Sequence, residues 1–69
     1  MGLKNNLKQL RFNAGQITQD TLARELQVSR QTMNAIENGK FNPSIKLALQ
    51  IAGFFKCKVE DIFYLEELK

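Results

Sequence analysis

Arg30, Gln31, Asn34 and Ala35 are the side chains of this sequence best suited to reading another molecule. On a helix at roughly 100° per residue with Arg30 at zero, Met33 and Ile36 fall near roughly 300° and 240° and define an inward stripe. Gln31 at roughly 100°, Asn34 at roughly 40° and Ala35 at roughly 140° centre on the opposite face, with Arg30 and Thr32 at its edges. Gln and Asn can bond adenine N6 and N7 bidentately, Arg can bond guanine O6 and N7, and an Ala methyl can touch a thymine methyl. All four contacts are made from the major groove of a DNA duplex. A face that is merely solvated more often carries Glu and Lys. Enzyme chemistry has little to work with: there is no histidine, no nucleophile beside a base, no pair of carboxylates and no Gly-rich phosphate loop. With a single cysteine and no histidine, no zinc set can be assembled, and neither a metal nor a cofactor is expected.

Two short helices must position that face. Thr18 is a good N-cap, with Ile17 before it and Leu22 at the fourth helical position, the spacing of a hydrophobic staple. The device repeats at Ser29, with Val28 before it and Met33 at the fourth position. Helices over 19–26 and 30–37 are therefore joined only by Gln27, Val28 and the cap itself, and so short a connection forces a sharp angle. That is the arrangement of a helix-turn-helix, in which the first helix crosses the DNA backbone and the second enters the groove. Ala23 matters by its size, because only a small side chain fits where two helices cross close to a tight turn. Gln27 occupies a place where a positive φ would favour glycine.

The flanking segments read as support. A first helix over 3–13 carries Leu3, Leu7 and Leu10 on its core stripe, with Phe12 on the opposite face, and ends at Ala14-Gly15-Gln16. Asn38-Gly39 stops the third helix; Asn38 and Lys40 continue its groove-facing side, and Phe41 returns to the core. Asn42-Pro43-Ser44 opens a fourth helix over 45–55, with Ser44 as N-cap. That helix is apolar almost all round; Ala48, Ile51, Ala52 and Phe55 form its best inward set. Its surplus apolar surface is either a subunit interface or is covered by a last short helix over 59–63. Phe63-Tyr64-Leu65 either continues that helix or leaves as a strand, and two-fold pairing of such strands would make a dimer. Leu49, Phe54, Phe63, Tyr64 and Leu65 are the candidate dimer surface, with Leu68 beyond them and Glu66 and Glu67 pointing away from DNA.

The chain is expected to form one domain over 1–69, and at this size it buries only about 60% of its unfolded surface. The net charge is +3, unevenly spread. Residues 1–58 hold nine Lys/Arg against three Asp/Glu, a balance of +6, and residues 59–69 hold one against four, a balance of −3. A basic body favours an anionic partner through phosphate contacts and counterion release. No apolar run is long enough to span a membrane and no signal-peptide pattern is present, so a cytoplasmic protein, nucleoid-associated when bound to DNA, is expected. Cys57 reads as a small buried hydrophobe whose flanking lysines would lower its pKa if it were exposed.

From Leu7 to Phe63 the chain resembles the small Cro/C1-type (Xre-like) helix-turn-helix transcriptional regulators, through LKQLR, TQDTLARELQVSRQTMNAIENGKFNPS, LALQIA and VEDIF. The resemblance implies an all-α, compact five-helix lambda-repressor-like domain, its helices 2 and 3 forming the helix-turn-helix, that binds double-stranded DNA as a homodimer. It places Arg30, Gln31, Asn34 and Ala35 at base-reading positions, and Gln19 and Asn38 at phosphates. Ser29, Thr32 and Lys40 fall beside them as further phosphate contacts. Arg11 and Glu37 match a family pair that makes a structural salt bridge. Gln27 and Lys56 stand where the family usually has glycine, and the Gly15-Gln16-Ile17 loop is one residue longer than usual. The competing reading is a protein-interaction module, such as an antitoxin or anti-repressor partner, using the apolar fourth helix and the tail.

Overall fold

The computed structural model describes residues 2–66. Among them the chain forms four α-helices and a two-stranded antiparallel sheet, in the order β1 (Leu3–Asn5), α1 (Leu7–Asn13), α2 (Gln19–Leu26), α3 (Arg30–Glu37), α4 (Ile45–Phe55) and β2 (Phe63–Leu65). A short 3-10 turn, Val59–Asp61, precedes β2. Glu67 and Leu68 lie outside the described residues.

Three helices start by the same device. The Thr18, Ser29 and Ser44 hydroxyls accept from the backbone N–H of Thr21, Thr32 and Leu47, at 3.0, 3.0 and 3.1 Å. Each cap residue has extended backbone and satisfies a donor that the first helical turn leaves open. Leu7, Leu22, Ala23, Met33, Ile36, Leu47, Ala48, Ile51, Ala52, Ile62 and Phe63 form the buried core. Leu47 belongs to the inward face of α4, whereas Phe55 is only half-buried against it.

The expected five-helix, all-α architecture is corrected at both ends. Residues 3–5 do not extend the first helix but pair with residues 63–65, in the register Leu3↔Leu65, Lys4↔Tyr64 and Asn5↔Phe63. The reason lies in two adjacent amides. The Asn5 side-chain oxygen accepts from the Leu7 N–H at 3.1 Å, a local bond that competes with helix at residues 5 and 6. The Asn6 backbone N–H then donates to the Ile62 carbonyl at 3.1 Å, and its side-chain amide donates to the Asp61 carbonyl at 2.9 Å. At the other end Phe63-Tyr64-Leu65 is aromatic and apolar in the manner of a strand, and β1 supplies the backbone partners it needs. Of the two readings of these residues the strand holds, and it pairs within its own chain. Glu66 extends the ladder by donating to the Gly2 carbonyl at 2.8 Å.

One further expectation is overturned. Phe41 does not return to the core and is 51% exposed. Cys57 is half-buried, in keeping with its reading as a small hydrophobe, and its thiol is pushed up in pKa, first by burial and then by the negative charge of Asp61.

Gln27 closes α2 in the left-handed region at φ 60°, and Lys56 closes α4 likewise at φ 56°. A non-glycine residue there costs roughly 1–2 kcal/mol, partly offset in a glycine variant by the larger entropy of the unfolded chain. Gln27→Gly is expected to stabilise the domain by up to about 1 kcal/mol in urea unfolding. A clear loss of stability would show that the Gln27 side chain contributes more than its backbone strain removes.

Candidate nucleic-acid interface

Helix α3 sits across α2 because the left-handed Gln27 reverses the chain within two residues of the Ser29 cap. Met33 and Ile36 are buried beneath it. Arg30, Gln31 and Asn34 stand exposed on its outer side and together line a shallow open groove. Thr32 and Ala35 are half-buried at the margins of that face. Arg30 also borders a second groove with Arg11, Thr18, Gln19 and Asp20, at the start of α2. At the far end Asn38 caps α3, Gly39 turns the chain at φ 73°, and the Lys40 N–H donates to the Ala35 carbonyl at 2.9 Å, leaving the Lys40 ammonium exposed.

Glu37 is the only acid of α3 and it is withdrawn from the outer face. Its carboxylate accepts from Arg11 Nε at 2.5 Å and from Arg11 Nη2 at 3.0 Å, a two-pronged pairing. The third prong, Arg11 Nη1, donates to the Ile17 carbonyl at 2.7 Å. Both side chains are shielded, with 14% of Arg11 and 6% of Glu37 exposed. The hydrogen bond to Glu37 holds the guanidinium pKa above its ordinary value against the opposing effect of burial, so Arg11 stays charged. The pair joins α1, the loop before α2 and the end of α3.

Gln19 and Asn38 are tied into the same centre. Gln19 Nε2 donates to Glu37 Oε1 at 3.0 Å, Asn34 Nδ2 donates to Gln19 Oε1 at 3.2 Å, and Asn38 Nδ2 donates to Asn34 Oδ1 at 3.0 Å. Each donating amide keeps a second N–H free for another acceptor. The hydroxyls differ from one another. Ser29 Oγ donates to Thr32 Oγ1 at 2.9 Å while accepting from the Thr32 N–H, which commits its proton. Thr32 Oγ1 accepts in that bond and keeps its proton, so of the two it is the better donor to a phosphate oxygen.

Asn5 escaped the sequence reading, which placed it on the first helix. Its side-chain Nδ2 donates to the Ile36 carbonyl at 2.9 Å, a second donor beside the Gly39 N–H at 3.1 Å, and so ties the last turn of α3 to β1. The Asn5-Asn6 dipeptide, a common turn signal, was the cue. The apolar candidates separate as well. Leu49, Tyr64 and Leu65 are exposed, Phe54 is half-buried with its ring edge-on to Phe55 at 5.1 Å, and Phe63 is 8% exposed within the core. Phe63 therefore offers no surface to a partner. Phe12, at 62% exposed, borders an open pocket beside α1. Among the described residues no helix is long and apolar enough to cross a membrane, and no group of His, Cys, Asp and Glu side chains converges as a metal site would require.

Residues 7–62 match the family model described as helix-turn-helix. The chain is 54% identical over 65 residues to an uncharacterized HTH-type transcriptional regulator of Methanocaldococcus jannaschii, spanning 94% of this chain and 97% of that one. It is 46% identical over 65 residues to another from Bacillus subtilis, with coverage of 94% and 97%. A third, from Archaeoglobus fulgidus, is 43% identical over 67 residues, with coverage of 94% and 90%.

Arg11→Met leaves the shielded Glu37 carboxylate without its counter-charge and is expected to lower unfolding stability by about 3 kcal/mol. Adding Glu37→Met removes the stranded charge and should recover much of that loss. Urea titrations of the single and double variants measure both; a double variant as unstable as the single one would show that the cost is lost packing rather than an unpaired charge.

Proposed function

Because this chain belongs to the Cro/C1-type helix-turn-helix family of DNA-binding transcriptional regulators, and not to an enzyme family, we propose that it is a repressor that binds a pseudo-palindromic operator as a homodimer. Helix α3 enters the major groove, where Arg30, Gln31, Asn34 and Ala35 read base edges. Gln19, Thr32, Asn38 and Lys40 hold phosphates on either side, with Ser29 adjoining them. The observation that carries this reading is the composition of the outer face of α3, which presents a guanidinium and two short amides while its only carboxylate is drawn away by Arg11. A carboxylate on that face would repel phosphate; its withdrawal leaves donors and short amides.

One copy reads half a site, so specificity comes from two copies whose recognition helices lie about 34 Å apart, one DNA turn. The surface proposed for the second copy is the exposed apolar set Leu49, Tyr64 and Leu65. A repressor of this kind acts in the cytoplasm on nucleoid DNA by occluding a promoter.

Selection of bound duplexes from a random pool should recover a two-fold symmetric site. Affinity for it should fall steeply as salt rises; a flat dependence would remove DNA as the partner. On the selected site Gln31→Ala is expected to cost about 1–3 kcal/mol while hardly affecting random DNA, whereas Lys40→Ala weakens both alike. Equal losses from the two variants would take Gln31 out of base readout. Sedimentation of the free and operator-bound protein should give a dimer on the operator, and the Leu49→Lys, Leu65→Lys variant should bind as a monomer with weakened affinity; an unchanged dimer places the interface elsewhere.

A further inference from the structure

The amide of Asn34 has its polarity set from beneath the interface rather than by the DNA. Glu37 is shielded and its carboxylate only accepts hydrogen bonds, so the atom that Gln19 turns toward it, 3.0 Å from Oε1, must be the amide nitrogen. The Gln19 carbonyl then faces outward and, at 3.2 Å, requires a donor from Asn34. Asn34 therefore presents its nitrogen to Gln19 and its oxygen to the Asn38 amide at 3.0 Å. Turning over the Asn34 amide would set oxygen against oxygen at Gln19 and nitrogen against nitrogen at Asn38. After both bonds Asn34 retains one N–H and one oxygen lone pair, the donor and acceptor that adenine takes through N7 and N6.

We propose that Gln19 is a positioning residue for base readout: it relays the polarity of Glu37 to Asn34 and so fixes the base that Asn34 selects. The inference rests on the reading of α3 as the element in the major groove. It adds a specificity role to a residue otherwise assigned to a phosphate, and the two roles use different atoms, since the second N–H of Gln19 stays free.

The test compares sites selected from a random DNA pool by the full chain and by Gln19→Met, Asn34→Ala and the double variant, together with titrations on random-sequence duplex. Asn34→Ala identifies the base pair it reads as the one whose preference flattens. Gln19→Met should flatten the preference at that same base pair about tenfold, or about 1.4 kcal/mol. Loss of the phosphate contact should in addition lower affinity for selected and random duplex by one common factor, and the double variant should lose no further preference at that base pair. In the DNA-free protein the side-chain amide NMR signals of Asn34 and Asn38 should shift in Gln19→Met, a change that a residue serving only a phosphate would not produce. Gln19→Ala, which suits a helix start, replaces the methionine variant if circular dichroism shows that it does not fold. The proposal is overturned if Gln19→Met weakens selected and random DNA by one common factor with the preference intact. Failure of the unmodified chain to select any site overturns the major-groove reading itself, and this inference with it.

Discussion

The bidentate pairing of Arg11 with Glu37 is the contact on which the rest of the interface depends. It spends all three nitrogens of one guanidinium on two targets, the carboxylate at the end of α3 and the Ile17 carbonyl before α2. Three segments are thereby held at one shielded point. A core of this size leaves a stability of only a few kcal/mol, so an ion pair of this kind is valuable mainly for the single arrangement it enforces. It also clears the face proposed to read DNA of negative charge. The acid that would oppose phosphate is turned inward, and the amides that remain outside inherit their orientation from it.

Support for α3 comes from an unexpected direction as well. The two-stranded sheet brings residues 3–5 against residues 63–65, and Asn5 reaches from β1 to the Ile36 carbonyl in the last turn of α3. A helix extending back to Leu3 would have placed Asn5 in its own hydrogen-bond ladder and left that carbonyl with the Gly39 N–H as its one protein donor. Its start is instead deferred to Leu7, and α3 is held at its start by Ser29 and at its end by an amide from another element. Both chain ends are thus tied to the helix proposed to read DNA.

Much of the site was legible because its cues are local. Thr18, Ser29 and Ser44 announce helix starts through hydroxyls that bond three residues on, and the periodicity of Met33 and Ile36 orients α3 without reference to any other part of the chain. The left-handed closures at Gln27 and Lys56 were harder, since both break the preference for glycine; at Gln27 only the shortness of the connection between two caps revealed the turn. Phe41 and Phe63 show where such reasoning fails. Both are phenylalanines next to a helix stop or start, yet one is exposed and the other is in the core. Apolar character alone says that burial is favourable, not that a cavity is available.

The caps, the spacing of the two crossing helices, the chemistry offered by Arg30, Gln31, Asn34 and Ala35, and the uneven distribution of charge are all set locally in the sequence. Each of these follows from neighbours within a turn or two of chain. Long-range packing alone makes residues 3–5 and 63–65 strands, brings Asn5 to the end of α3 and sets Gln19 between Glu37 and Asn34. These contacts join residues separated by up to sixty positions or so. A strand of three residues or a single amide has no stable conformation of its own, and takes its state from whatever partner the folded chain brings within hydrogen-bonding distance.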